Sequence, residues 1–414
     1  MKNIIIIEHN SPKEFLFEYA DEKGYNIFVV TNEWKEVYTK HRSVRDILLT
    51  DVYDIQTSTD NILAYLNKNN LKIDAVGTFS EDLVVLAADV AGILGCKGIG
   101  SLSARMTSCN KLATRIKLSE DIAIKQPKFI SFNIFDDSDQ MLLDFPKPCV
   151  IKPVFGIASH GVSMLRDNSF IFEKLKNEIL TVVNEKTRAP FRRFKGNMIV
   201  EEYIPGTMVS VDGFVSNGEL IIVGSLEFVM GEEPHFTQTS SYIPARITGK
   251  QNLELTNCLK KITESLGFRD TPFHAEFRIN DTGCYLVEIA GRMAGGTIHE
   301  SYNRVYGIDM IDLMYKCWLG EDINVALTPK GYNYHSFVYP DIGKESIIQT
   351  ISYPDVSGIE EIYLFNKKCE AGSVLHTYPE MPNSVLEYAC FSDDLGRLEG
   401  IKNKIEDNIK IKYV

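Results

Sequence analysis

The sequence predicts an α/β (α+β) protein that begins with a parallel sheet and continues into antiparallel hairpins, and three observations carry that reading. The first hundred residues alternate strand-like and helix-like patterns: Ile4 to Ile7, a helical stretch from Pro12, Ile27 to Val30, Ala75 to Phe79, and the alanine-rich "EDLVVLAADVAGILG". Short apolar runs separated by helical stretches are what a parallel sheet with crossover helices requires. From Cys149 the pattern changes to strand, turn and strand, in "CVIKPVFGIASHGVSML" and in "NMIVEEYIPGTMVSVDGFVSNGELIIVGSLEFV", with turns at Pro205-Gly206 and Asn217-Gly218. The tail from about Pro329 is mixed α/β, with no repeat and no low-complexity tract.

Between these regions, residues near 105 to 125 read as helical, and Gln126-Pro127 starts an extended segment. No G-x-G-x-x-G follows the first strand, so a dinucleotide site is rejected there despite the Rossmann-like alternation. A chain of 414 residues is too long for one ordinary core and implies two to four lobes.

Composition narrows the function. A hydrophobic fraction of 44% with 24% charged residues fits a soluble globular protein. The net charge of -12 argues against nucleic-acid or acidic-membrane partners, which need a basic face to replace counterions. The one basic cluster, Arg188, Arg192, Arg193 and Lys195, reads as a solvated loop. "MKNIIIIEHN" lacks the apolar length of a signal peptide, and no apolar run spans a membrane. The eight cysteines are scattered without a C-x-x-C pair, which indicates neither a disulfide framework nor a zinc site. These features point to the cytoplasm.

Several polar segments suggest chemistry. Lys152 precedes Gly156, and Gly161 closes the loop "FGIASHG"; such a loop, with Ser159 and His160, can bring backbone N–H groups onto a triphosphate while Lys152 neutralises an inner phosphate. Taken alone, the segment reads as an ordinary hairpin, since Lys-Pro followed by glycines is common. In "VEEYIPG", Glu201 and Glu202 end an apolar strand where an adenine could be recognised, or where two acids simply meet solvent. His235 lies in "EEPHFTQTSSYIPA", a polar tract that fits either a substrate pocket or a plain surface loop. His9, His41, His299, His335 and His376 fall in no metal-ligand spacing.

The strongest signal is "HAEFRINDTGCYLVEIAGRMAGG". His274 to Ile279 and Cys284 to Ala290 read as two strands. A three-residue loop of Asp281, Thr282 and Gly283 sets Glu276 opposite Glu288. Like charges at opposed positions destabilise a sheet. A hard cation reconciles them: Mg²⁺ takes one or two carboxylates and leaves its other positions to water and phosphates. The competing reading is a slipped register that puts one glutamate in solvent. His274 shares the strand face of Glu276, as a border of the site or as a structural histidine. Arg292 follows, close enough to set a fixed cation beside phosphates. Gly295 and Gly296 either leave room for substrate or permit an unusual backbone turn.

The order Lys111, Lys152 with its loop, "EEYIPG", Glu276, Glu288 and Arg292 resembles the ATP-grasp superfamily of carboxylate-amine ligases, over roughly residues 1 to 315. Within it, "HFTQTSSYIPA" and "EIAGRMAGGTIHESYNRVYGIDM" look most like the L-amino-acid ligases that make dipeptides. The resemblance implies an ATP-grasp fold in four parts. These are an N-terminal Rossmann-like domain (1–104), a small lid (105–197), a catalytic subdomain (198–320) and a C-terminal α/β part packed on it (321–414). It implies ATP as cosubstrate, with Lys111, Lys152, Ser159, His160 and Gly161 toward the phosphates and Glu201, Glu202 and Ile204 around the adenine. It also implies Mg²⁺, replaceable by Mn²⁺, on Glu276 and Glu288, and Arg292 and Lys152 as catalytic residues. His235, His274, Gly295 and Gly296 would border the substrates. The partners implied are a small-molecule carboxylate and amine, and the resemblance admits a homodimer.

The implied chemistry activates a carboxylate as an acylphosphate and passes it to an amine, releasing ADP and phosphate. Two residues depart from the pattern of many relatives. Ala290 stands where an Asn is common, and Met208 where an acid is common, which touches a second metal and ribose recognition. Two alternatives follow: a ligase of a non-amino-acid carboxylate, or an inactive nucleotide-binding regulator.

Overall fold

The computed structural model describes residues 1–9, 11–136, 140–156, 160–183, 192–231, 237–377 and 382–414. The expectations for Ser159 and His235 therefore lie outside the described residues.

The N-terminal unit runs β1 (Asn3–Ile7), α1 (Glu14–Lys23), β2 (Asn26–Thr31), β3 (Val44–Leu49), α2 (Ile55–Asn69), β4 (Ala75–Gly77) and α3 (Val84–Leu94). Its four strands are parallel in the order β3-β2-β1-β4. The isoleucines of β1 are buried on both faces, because helices cover both sides of a parallel sheet. Asp54 caps α2 by accepting from Thr57 N at 3.0 Å, and Gly24 and Gly95 end α1 and α3 in the left-handed conformation.

The expected helix near 105 to 125 is two helices, α4 (Ser101–Thr107) and α5 (Lys111–Leu118). The chain turns between them at Cys109, whose φ is 53°, and Asn110 restarts the helix by accepting from Ala113 N at 3.2 Å. That break sets Lys111 at the first position of α5.

Next come β5 (Phe129–Asn133), α6 (Gln140–Asp144), β6 (Cys149–Pro153), β7 (Ser163–Leu165), α7 (Phe172–Val183) and β8 (Asn197–Glu202). These strands form an antiparallel sheet, β5-β8-β6-β7, packed on Leu175 and Ile179 of α7. Strand β8 crosses the 197/198 position expected to divide lid from catalytic subdomain, and it pairs with β5 and β6.

The remaining elements are β9 (Thr207–Ser216), β10 (Glu219–Met230), β11 (Gln238–Ile243), α8 (Gly249–Ser265), β12 (Thr271–Asn280), β13 (Gly283–Ala290), α9 (Ile298–Tyr306) and α10 (Met310–Leu319). They continue with β14 (Tyr332–Val338), β15 (Ser346–Ser352), β16 (Ile362–Lys367), β17 (Val374–Leu375), β18 (Leu386–Ser392), α11 (Leu395–Glu406) and β19 (Lys410–Tyr413). An eight-stranded antiparallel sheet, β13-β12-β9-β10-β11-β14-β18-β16, spans this region. Strands from the last ninety residues thus extend the central sheet by hydrogen bonding, through β11 to β14.

One face of that sheet packs Phe273, Phe277, Leu286 and Ile289 against Leu255, Leu259 and Ile262 of α8. Each of those phenylalanines contributes roughly 1.5–3 kcal/mol by burial. The N-terminal unit is fastened through α10: Tyr315 stacks on Tyr19 at 4.9 Å and donates to Leu16 O at 2.8 Å. Among the described residues no helix is long and apolar enough to cross a membrane.

Candidate active site

The hairpin of β12 and β13 places Glu276 opposite Glu288, by a route different from the expected one. The turn holds two residues, Asp281 and Thr282, because Asn280 already pairs with Gly283. A hairpin continued regularly from that turn would pair Glu276 with Val287. Instead the register shifts by one between Glu276 and Phe277: Phe277 faces Leu286, Glu276 faces Glu288, and Val287 is the extra residue of a β-bulge. The three-residue loop is thus corrected, and the bulge restores the opposed carboxylates.

Helix α5 supplies two cations one turn apart, on the same face. Lys111 Nζ lies 2.8 Å from Glu288 Oε1 and donates to Gly156 O at 2.7 Å. Arg115, 1% exposed, donates through Nε to Glu201 Oε1 at 2.8 Å and through Nη2 to Val287 O at 2.8 Å. The carbonyl of the bulged residue therefore has a buried guanidinium as its partner. Lys152 Nζ meets the other oxygen of Glu201 at 2.6 Å. Burial alone would raise the Glu201 carboxyl, but Arg115 and Lys152 outweigh it and hold it at about 2.

Glu276 meets His274 Nε2 through Oε1 at 3.4 Å, and His274 Nδ1 lies 3.0 Å from Asp212 Oδ1. Burial works against the imidazolium, yet Asp212 and Glu276 raise its pKa to about 10. The two glutamates respond differently. Glu288 is pushed up by burial, with Glu81 and Glu276 adding to it against Lys111, whereas for Glu276 burial is outweighed by the hydrogen bond and charge of His274 together with Arg292 and Lys111, which lower it.

Several of these groups face one cavity of about 360 Å³. Lys111, Lys152, His160, Glu201, Glu202, Ile204, Glu276 and Glu288 line it, together with the apolar Met208, Phe228 and Val287. Gly161, His274, Arg292, Gly295 and Gly296 are not among its lining residues. Arg292 turns to Glu81, to which its Nη2 donates, and its Nη1 donates to Met293 O at 2.8 Å. Glu81 also accepts from Cys109 N at 3.0 Å, so it ties the N-terminal unit to the residues around the cavity.

Comparison with known proteins gives this arrangement relatives. The family model described as "ATP-grasp domain" matches residues 145–300, the stretch that contains Lys152, β8 and the glutamate hairpin. Residues 145–300 of the chain thus match an ATP-grasp domain. The chain is 23% identical over 382 residues to the alanine–anticapsin ligase of Bacillus subtilis (strain 168), covering 82% of this chain and 78% of that one. It is 23% identical over 336 residues to carnosine synthase 1 of Mus musculus, covering 77% of this chain but only 40% of the relative's length. The fold matches the crystal structure of an L-amino acid ligase from Bacillus licheniformis with a TM-score of 0.78, at 18% identity, over 100% of this chain and 99% of that chain.

Within the matched region the donor set at the hairpin fits a magnesium ion. Glu276 and Glu288 are hard oxygen donors on opposed strands, and the protein's own cations meet each through Oε1, which leaves an Oε2 on each. Ser210, in register with Glu276 across β9, is fully buried, and its Oγ has no hydrogen-bond partner among the described residues. Among those residues no cluster of three or more His, Cys, Asp or Glu forms a metal cage. Two carboxylates and an otherwise open shell suit a cation that is shared with substrate phosphates.

Three buried residues of this network escaped the sequence reading: Glu81, Arg115 and Asp212. Arg115 had a signal, since it stands four residues after Lys111 on one helix. Asp212 had another, as an acid in the apolar run "MVSVDGFV". Glu81 at the head of an apolar helix looks like an ordinary first-turn acid.

Gly295 and Gly296 separate on backbone grounds. A Cβ at either would meet nothing within 4 Å, but only Gly296 is left-handed, with φ 63°. Gly296→Ala should therefore cost roughly 1–2 kcal/mol in denaturant unfolding, whereas Gly295→Ala should change stability little. Equal losses would show that conformation does not distinguish the two. A side chain introduced to probe whether this space admits substrate belongs at Gly295, where a Cβ enters without backbone strain.

Proposed function

We propose that the chain joins a small carboxylic acid to an amine by an amide bond at the expense of ATP, and that its substrates are an amino acid or related acid and an amino acid or amine. The convergence of Lys111, Lys152, Glu276 and Glu288 on one cavity carries this reading. A protein that only held a nucleotide would have no use for two opposed carboxylates maintained by a bulge. The names of the relatives, an alanine–anticapsin ligase and carnosine synthase, support the substrate class.

In this reading the small sheet of β5 to β8 acts as the lid and the eight-stranded sheet as the floor. Glu202, Ile204 and Met208 receive the adenine and ribose, because both oxygens of Glu201 are already engaged by Arg115 and Lys152. Lys111 and Lys152 exchange part of their carboxylate contact for phosphate oxygens, as ammonium groups with three donors can. His160 and Gly161 close the glycine loop over the phosphates and exclude water, which would hydrolyse an activated acyl group. Glu276 and Glu288 hold magnesium, which supplies charge neutralisation on the transferring phosphoryl group. Arg292 reaches that group by exchanging its contact with Glu81.

The bonds balance in two steps. A carboxylate oxygen attacks the γ-phosphorus, the bond to the β–γ bridging oxygen breaks, and ADP leaves. The neutral amine then attacks the acyl carbon, the acyl–oxygen bond breaks, phosphate leaves, and the amine proton is lost.

Incubation with pairs of carboxylates and amines should release ADP and phosphate, with one ¹⁸O of a labelled carboxylate carried into the phosphate. Release of AMP and pyrophosphate would reject the acylphosphate route. ATP turnover that ignores the amine across the whole matrix would reject amide formation.

A further inference from the structure

The two candidate metal carboxylates are supported differently. Glu288 is met by Lys111, a flexible side chain on another element that also holds Gly156 O. Glu276 is met by His274, two residues away on its own strand. Behind His274, on the neighbouring strand β9 and directly in register, stands Asp212, 1% exposed. A carboxylate can only accept, so His274 Nδ1 carries the proton toward Asp212 Oδ1 at 3.0 Å. The ring is thereby fixed with Nε2 toward Glu276 Oε1.

Asp212 is itself held by two further donors, Ala294 N at 3.3 Å to Oδ1 and Tyr302 OH at 3.1 Å to Oδ2. The first belongs to the loop that carries Arg292, and the second to α9. One buried carboxylate thus anchors a histidine on the metal side and the segment that bears the arginine. Burying a carboxylate and an imidazole is costly unless they are mutually bonded, and a purely packing role would be filled as well by apolar side chains.

We propose that Asp212 and His274 are positioning residues for the metal site: Asp212 orients the His274 ring, and His274 holds Glu276 by one oxygen so that the other stays directed to the cation. This rests on the ligase reading, since it presumes a divalent ion at Glu276 and Glu288. Partners that orient a ligand from behind set metal affinity, and losing one typically weakens it 10- to 100-fold.

The test is Mn²⁺ binding to the full chain, read by loss of the free-ion signal in electron paramagnetic resonance with ADP present, alongside the Mg²⁺ dependence of turnover. His274→Gln and Asp212→Asn should each raise the Mn²⁺ Kd about 10- to 100-fold. The Mg²⁺ concentration for half-maximal rate should rise by the same factor, with a smaller fall in kcat at saturating Mg²⁺. Val385→Ala, in the buried C-terminal core, should lower thermal stability and leave Mn²⁺ affinity unchanged, which separates positioning from mere loss of stability. If Asp212→Asn does not fold, His274→Gln alone decides. A folded His274→Gln chain that binds Mn²⁺ as the parent does overturns the positioning role and leaves the ligase reading intact. A parent chain that binds no Mn²⁺ overturns both.

Discussion

Glu288→Gln should leave a folded protein whose turnover falls about 10²- to 10³-fold, the usual loss when one preorganised electrostatic group is removed from a reacting centre. The amide keeps the size of the side chain and can still accept from Lys111, while Lys111 retains Gly156 O, so the local structure has partners on both sides. What disappears is the charge. Glu276→Gln should behave similarly, because Glu276 supplies the opposed half of the pair. The measurement is ATP turnover across a Mg²⁺ titration, with a thermal melt as the folding control. A Glu288→Gln chain with the parent's rate at limiting Mg²⁺ would remove the metal pair from the account.

Arg115→Met should be the most destabilising change near the site, at about 3–5 kcal/mol, the cost of leaving a buried ion without one of its partners. Two acceptors lose a donor at once, Glu201 Oε1 and Val287 O. The loss should also depend on pH. Glu201 is held at about 2 when folded against an ordinary 4.5, so its contribution is full above 4.5 and fades as the pH falls toward 2. That shift corresponds to about 3 kcal/mol. Removing Arg115 lets the folded value climb, so the gap between parent and variant in urea unfolding should be wide at pH 7 and narrow at pH 3. A gap independent of pH would mean that Arg115 acts through packing alone.

The parts of the fold that were legible in the sequence are those where burial imposes a simple period. β1 is four isoleucines buried on both faces, and the run from Asn197 to Met230 alternates between turns that Gly206 and Gly218 mark. Strand β3 and helix α2 were not legible. β3, "VRDILL", is an edge strand of partly exposed residues whose charges hide the pattern, and α2 is largely polar. The break at Cys109 was hidden because no glycine or proline marks it; a non-glycine residue takes the left-handed turn there. At the site, the lysines and glutamates were visible because their residue types carry the chemistry. Asp212, Arg115 and Glu81 were not, because their role comes from neighbours 62, 86 and 211 residues away in the chain.

The bulge at Val287 has a consequence for how the hairpin can change. Along β13, Cys284 and Leu286 point into the core with α8, and an unbroken alternation would send Glu288 after them. The extra residue resets the phase, so Glu288 joins Val287 on the cavity side and Ile289 takes the core position that Glu288 would have occupied. The hairpin is therefore two segments with independent clocks: one set by the turn at Asp281 and Thr282, the other by Arg115 gripping the Val287 carbonyl. Deletion of Val287 would therefore leave a regular hairpin, with Glu288 still opposite Glu276 and Ile289 still in the core, and would cost the carbonyl that Arg115 holds, whereas one residue added after Val287 would push Glu288 to the core side and Ile289 toward the cavity.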